Sequence, residues 1–209
     1  LLLQPGQRVR FVDIETLPPA ELQALLDAAA APPMSSAAPQ PSDVDRAASS
    51  LEVITAGAQS LLQDLGRPGR AAQGVSASGA LDRAACIAAN RLVGNAAGDA
   101  CIESAGGGLA LRSRGDTVVA VCGADALLRI RGADGSHWPA PRYRALALAD
   151  GDVLTIGEPR AGTRSYVALR GGFAVAPVLG SRATDTLARL GPPPLAAGDV
   201  LAVREADPR

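Results

Sequence analysis

The segment Gln63–Arg70, QDLGRPGR, sets an amide, a carboxylate and two guanidiniums within eight residues on a Pro-Gly turn. Arg67 and Arg70 each present a planar fork suited to a carboxylate or phosphate. Asp64, and Asp82 further on, can neutralise those forks or move protons. Glu103 lies on an apolar strand, either pointing outward or pairing with one of these arginines. Asn90 and Asn95 flank the end of an expected helix, where they either cap backbone or contact a ligand. Taken alone, QDLGRPGR also reads as a solvated turn held by internal ion pairs.

Familiar catalytic signatures are missing. GVSASG at 74–79 misses the G-x-S-x-G elbow, because Ser78 stands where the final glycine belongs, and His137 would be the sole base. GGG at 106–108 lacks dinucleotide-loop spacing. His137-Trp138-Pro139 reads as a surface loop. The 20 cationic residues are all Arg, which excludes a Walker A lysine, a Schiff-base lysine and a lysine general base within these residues. Cys86, Cys101 and Cys122 form no CxxC pair, so no metal site is expected; buried free thiols suit a reducing cytoplasm. A net charge of −1 and 2% aromatic residues argue against a nucleic-acid partner. No apolar run approaches the ~20 residues of a membrane span, and LLLQPGQRVR lacks the form of a signal peptide.

The elements that must hold these groups are mostly strands. Leu51–Ala56, Cys101–Ala105, Thr117–Cys122, Leu127–Arg131, Val153–Ile156, Ser165–Arg170 and Val200–Arg204 carry aliphatic residues between Gly or Asp turns. A Gly turn followed by a strand recurs in GQRVRF, GDTVVAV, GDVLTI and GDVLAV, fitting a β-barrel entered through tight turns. One helix is prominent, Leu81–Val93, with Leu81, Ala84, Ala85, Ala88 and Leu92 on one face. Ser78 or Asp82 caps its start and Gly94 stops it. Upstream, a strand through Val9, Phe11 and Ile14 and a short helix at 18–30 end a preceding unit over 1–27. The Ala/Pro/Ser-rich stretch 28–50 reads as a linker, and 51–209 as a second domain.

The ordered set QDLGRPGR, GVSASGALDRAA, AANRLVGN, IESAGGG, CGAD, YVALRGGF and LGSRATD resembles the carboxyltransferase family. That family includes the C-type subunit of 5-oxoprolinase, a domain of urea carboxylase and the Kip-type regulators. The opening LLQPGQRVRFV resembles the closing strand of a domain like the B-type subunit of 5-oxoprolinase, which implies a fusion of the two. The resemblance implies a mainly β, cyclophilin-like β-barrel, here an incomplete domain that holds its N-terminal portion. It implies a component of an ATP-dependent 5-oxoprolinase, or of a related complex acting on a small amide with an A-type partner subunit. ATP would act at the level of the complex. The alternatives are a biotin-dependent carboxyltransferase acting on urea or a similar amide, and a non-catalytic regulator of a histidine kinase. Gln63, Arg67, Arg70, Asn90 and Asn95 would then bind substrate, and Asp64, Asp82 or Glu103 would handle protons. Tyr166, Arg170, Ser181 and Arg182 fall in the later family motifs and would line the same cleft. PPPLAAGDVL replaces a Gly-Arg-containing version of that segment and removes one anion contact.

Overall fold

In a computed structural model of the chain, residues 18–29 and 49–204 are described. The helix expected at 18–30 is present as α1 (Pro19–Ala29), with Glu21 in its first turn. The strand expected around Val9–Ile14 and almost all of the 28–50 linker lie outside the described residues.

The second unit is built from eleven strands, one α-helix and a short 3-10 helix at Ala71–Gln73 among the described residues. In chain order the strands are β1 (Ser50–Ala56), β2 (Gln59–Gln63), β3 (Cys101–Ala105), β4 (Leu109–Arg114), β5 (Thr117–Gly123) and β6 (Ala126–Arg131). They continue as β7 (His137–Ala140), β8 (Ala145–Leu148), β9 (Val153–Pro159), β10 (Arg164–Leu169) and β11 (Val200–Ala202), while α2 spans Arg83–Leu92. The strands form two antiparallel sheets, ordered β11-β1-β4-β9-β6-β7 and β2-β3-β10-β5-β8. Among the described residues each sheet is open, because its outer strands pair on one side only. The fold is mainly β as expected and compatible with a cyclophilin-like fold, but it is not a closed barrel.

Strand alternation explains how the layers stack. Leu51, Val53, Leu109, Leu111, Leu154 and Ile156 of the first sheet share one core with residues of the second sheet. The second sheet contributes Ile102, Val119, Val121, Val167 and Leu169 to that core. The alternate residues of the same strands, Cys101, Ala120, Cys122, Tyr166 and Ala168, pack against Ala85, Cys86, Ala89 and Val93 of α2. The strands β3, β10 and β5 of the second sheet are therefore buried on both faces.

That packing corrects the expected helix face. Leu81 is 71% exposed and Leu92 is also exposed, while Ala85, Cys86, Ala89 and Asn90 are buried. Leu81 precedes the N-cap, Asp82, which accepts a hydrogen bond from Ala85 N. Against a sheet face of Ala120, Ala168, Cys101, Cys122 and Tyr166, the helix turns inward chiefly the small side chains of Ala85, Cys86 and Ala89. The His137-Trp138-Pro139 loop is also corrected: it is edge strand β7, paired with β6. Pro139 fits there because an edge strand leaves one side without ladder bonds.

Two of the expected Gly-Asp turns, and a third at Gly98-Asp99, share one construction. Asp99, Asp152 and Asp199 each donate a backbone N–H to the carbonyl three residues back, at Ala96, Ala149 and Ala196. A carboxylate oxygen of each also accepts from that alanine's N–H, at 3.2, 2.9 and 2.8 Å. Asp152, 7% exposed, additionally accepts from Ala133 N at 3.2 Å. Replacing Asp152 with Ala leaves these donors unpaired and should cost about 1–3 kcal/mol, read as a lower urea midpoint with an unchanged m-value.

Candidate functional site

The residues singled out by type and spacing fall into three hydrogen-bonded groups. The first joins the end of β2 to a loop more than a hundred residues away. Gln63 closes β2, and its Nε2 donates to Thr184 O at 2.9 Å. Asp64 Oδ1 accepts from Gly66 N at 2.7 Å and Ser181 Oγ at 2.6 Å, while its Oδ2 accepts from Arg182 N at 2.6 Å. Arg67 is buried and donates from Nη2 to Ala183 O. Arg182 meets Asp64 through its backbone N–H, while its Nε donates to Val175 O at 2.6 Å.

This loop is held by direct backbone contact with a neighbour, residues 77–80. Arg67 N donates to Ala77 O at 2.6 Å and Ala80 N to Asp64 O at 2.8 Å. Gly66 and Gly79 have positive φ, and a Cβ on either would come within 2.4 and 2.7 Å of the facing backbone. Only glycine allows that approach. Arg70 sits past the turn, partly buried, and its guanidinium makes no hydrogen bond or ion pair among the described residues.

The second group surrounds the start of α2. Glu103 Oε2 accepts from Leu81 N at 2.9 Å and from the Tyr166 hydroxyl at 2.7 Å, and the same hydroxyl accepts from Asp82 N at 2.7 Å. Glu103 Oε1 lies 3.3 Å from Arg164 Nε. Burial pushes the Tyr166 phenol well above its usual range, so it stays a proton donor. Glu103 thus points inward and pairs with Arg164, which is neither of the two alternatives read from sequence, an outward charge or a partner for Arg67 or Arg70. A cleft of about 430 Å³ opens here, lined in part by Leu81, Asp82, Asp125, Arg142 and Arg164.

The third group lies at the other end of the helix. Asn90 donates to Asp99 O at 2.7 Å. Asn95 donates to Leu169 O at 2.7 Å and to Asn90 Oδ1 at 3.1 Å, and it accepts from Gly171 N at 2.9 Å. Arg170 Nε donates to Val93 O at 3.3 Å. This is backbone capping, the structural alternative for the two asparagines. The hydrogen bonds link none of these three residues to the Asp64 group.

Several participants carry no signal of their own in the sequence. Asp185 accepts from Ser76 Oγ at 2.7 Å, Ser78 Oγ at 2.8 Å, and the N–H groups of Leu187 and Ala188. Burial pushes its pKa up, but the Ala188 N–H, the two serine hydroxyls and the Leu187 N–H outweigh it and hold the carboxyl at about 2. Thr184 and Arg164 are of the same kind. Their partners are more than fifty residues distant, and only a resemblance covering both loops could have signalled them. The three cysteines are free and buried, as read from sequence. The Cys101 thiol is raised by its hydrogen bond with Cys86 and by burial, and burial pushes Cys122 up to about 11 against the opposing pull of Arg142.

The resemblance implies ATP at the level of the complex and biotin only in the carboxyl-transfer alternative, and two features of this chain bear on where either could be held. A helix N-terminus can bind phosphate, but at α2 the first-turn N–H of Ala85 is bonded to the Asp82 carboxylate, a negative group where ATP would place its own. Covalent biotin requires a lysine, and the chain contains none.

Comparison with known proteins identifies the class to which this mainly β unit belongs. Residues 73–209 match the family model described as "Carboxyltransferase domain, subdomain A and B", and the chain belongs to that family. It is 38% identical over 141 residues to the C-type subunit of 5-oxoprolinase from Escherichia coli, covering 68% of this chain and 44% of that one. It is 34% identical over 142 residues to urea amidolyase of Saccharomyces cerevisiae, covering 68% of this chain and 8% of that one. The crystal structure of the K. lactis urea amidolyase superposes with a TM-score of 0.66 at 30% identity, over 75% of this chain and 9% of that one. The chain thus spans less than half the length of these curated relatives.

Asp185 has its carboxyl pKa depressed in the folded state, so its contribution is present above the unfolded value near 3.8 and lost as pH falls through about 2. Asp185→Asn should lower stability at pH 7 by about 1–2 kcal/mol, allowing for screening at the loop surface. It should also flatten the loss of Tm between about pH 4 and pH 2, as followed by thermal melts across that range.

Proposed function

We propose that this chain is part of an amide-processing enzyme complex of the 5-oxoprolinase type, opening 5-oxoproline to glutamate with an A-type partner subunit. The observation that carries this reading is the Gln63–Arg67 loop bound to Ser181–Thr184. It sets a primary amide, a buried guanidinium and a hydrogen-bonded carboxylate side by side. The likeness to the C-type subunit of 5-oxoprolinase supports the same substrate class. In this reading Arg67 binds the anionic part of the substrate, with Gln63 beside it and Arg70 at the loop surface. Asp64 holds the loop that presents them. Glu103, kept beside the protonated Tyr166 and Arg164, is the better placed of the three acids to handle a proton. Asp82 serves as the helix cap. ATP, which drives the amide opening when bound, resides on the partner, and the complex works in the cytoplasm.

A second reading is favoured by the family description and the urea amidolyase likeness. Here the domain passes a carboxyl group to urea or a similar amide, with biotin carried on another domain. In the full-length protein with its A-type partner subunit, Arg67→Ala should abolish ATP-dependent release of glutamate from 5-oxoproline. Normal turnover in that variant contradicts the role given to Arg67. Turnover that stops on adding avidin selects the carboxyl-transfer reading instead.

A further inference from the structure

Arg67 is 2% exposed, and its guanidinium is bonded through one nitrogen only, Nη2 to Ala183 O. Its Nε and Nη1 have no partner among the described residues. The ion pairs of the described residues all use other arginines. The acids of the adjoining loops are committed elsewhere: Asp64 to Ser181 and the Gly66 and Arg182 N–H groups, Asp185 to Ser76, Ser78 and its own turn. A buried cation without a counter-charge is strongly disfavoured. One carbonyl contact relieves part of that cost without neutralising the charge.

Two more buried atoms in the same hydrogen-bonded unit lack partners among the described residues, Gln63 Oε1 and Thr184 Oγ1. Gln63 is tied to Thr184 by its own amide, and Thr184 follows Ala183, which receives the Arg67 bond. The unit therefore offers cationic donors, an amide acceptor and a hydroxyl. Its complement is a carboxylate for the guanidinium, a neighbouring N–H for Gln63 Oε1, and either group for the Thr184 hydroxyl. A neutral amide lacks the charge Arg67 requires. A phosphate lacks the N–H.

We propose that Arg67, Gln63 and Thr184 form a buried binding site for a small carboxylate carrying a neighbouring N–H, covered by residues 181–191. The covering segment sits directly on the guanidinium: a Cβ on Gly191 would lie 2.3 Å from Ala183 O and 3.3 Å from Arg67 Nη2. Its attachments to the 63–67 and 76–78 loops are chiefly hydrogen bonds to Asp64, Asp185 and Gln63, so a ligand enters as those bonds release. This assignment rests on the proposed reading of the loop as the substrate side of the domain and adds Thr184 and the ligand's charge to it.

The test uses the full-length protein without ATP or partner, with N-acetylglycine as the probe and acetamide as the neutral control. N-acetylglycine should raise the Tm by several degrees near a hundredfold excess over its Kd, and acetamide should not. Thr184→Val and Gln63→Met should each weaken binding about fivefold or more by calorimetry. Arg67→Met should abolish the shift, yet melt no lower than the unliganded parent because it removes an unpaired buried charge. An equal shift from acetamide, no binding of N-acetylglycine, or binding unchanged in all three variants overturns the site. Turnover of 5-oxoproline with no binding of N-acetylglycine overturns this inference alone. Carboxylate binding with no turnover retains the site and overturns the enzymatic reading.

Discussion

The Asp64 carboxylate is the interaction on which the candidate site depends. Its two oxygens accept from the Ser181 hydroxyl and the Arg182 and Gly66 N–H groups, so one side chain fixes its own turn and a loop 117 residues onward. A buried carboxylate is tolerated only when it is well hydrogen-bonded, and these three donors reach both of its oxygens. Once Asp64 is seated, Ala183 and Thr184 are delivered to Arg67 and Gln63. Without it, the side-chain bonds between the Gln63–Arg67 loop and the Ser181–Asp185 loop are reduced to Arg67 with Ala183 O and Gln63 with Thr184 O.

The rest of the unit makes that junction possible. The strands β3, β10 and β5 of the second sheet are buried on both faces, by the first sheet on one side and α2 on the other. Such a sheet has little freedom to shift register, because slipping one residue would exchange its large and small faces. β2, at its edge, therefore ends at a fixed place, and Gln63 and Asp64 leave it in a fixed direction. The same two-sided burial sets Tyr166 and Glu103 beneath the start of α2. There a phenol kept protonated links a buried acid to the helix cap.

Much of this is legible in the residues. The α2 helix with its Asp82 cap, the strands rich in Val, Ile and Leu, and the Gly-Asp turns carry strong local signals, and the structure has them. β2, β4, β7 and β8 do not, and for three of them the reason is identifiable. QSLLQ is too short to show alternation, the exposed positions of Ala145–Leu148 are alanines, and His137–Ala140 contains a proline that an edge strand tolerates. The helix face misleads because leucine ordinarily points inward, whereas against a sheet face chiefly of Ala and Cys this helix turns small side chains in. In the site, Asp64 and Ser181, both singled out from the sequence, are hydrogen-bonded to each other. Asp185 and Thr184 are silent in the sequence because their meaning comes from long-range partners. Asn90 and Asn95 are readable either way, and they cap backbone.

The central claim is that Asp64 and Ser181 act as one unit joining the two loops. A double-mutant cycle in the full-length protein, with Asp64→Asn, Ser181→Ala and the pair, measures it directly by denaturant unfolding. The account predicts a coupling of about 1–3 kcal/mol, with the double variant little worse than Asp64→Asn alone. Additive losses, with coupling below about 0.5 kcal/mol, would contradict it.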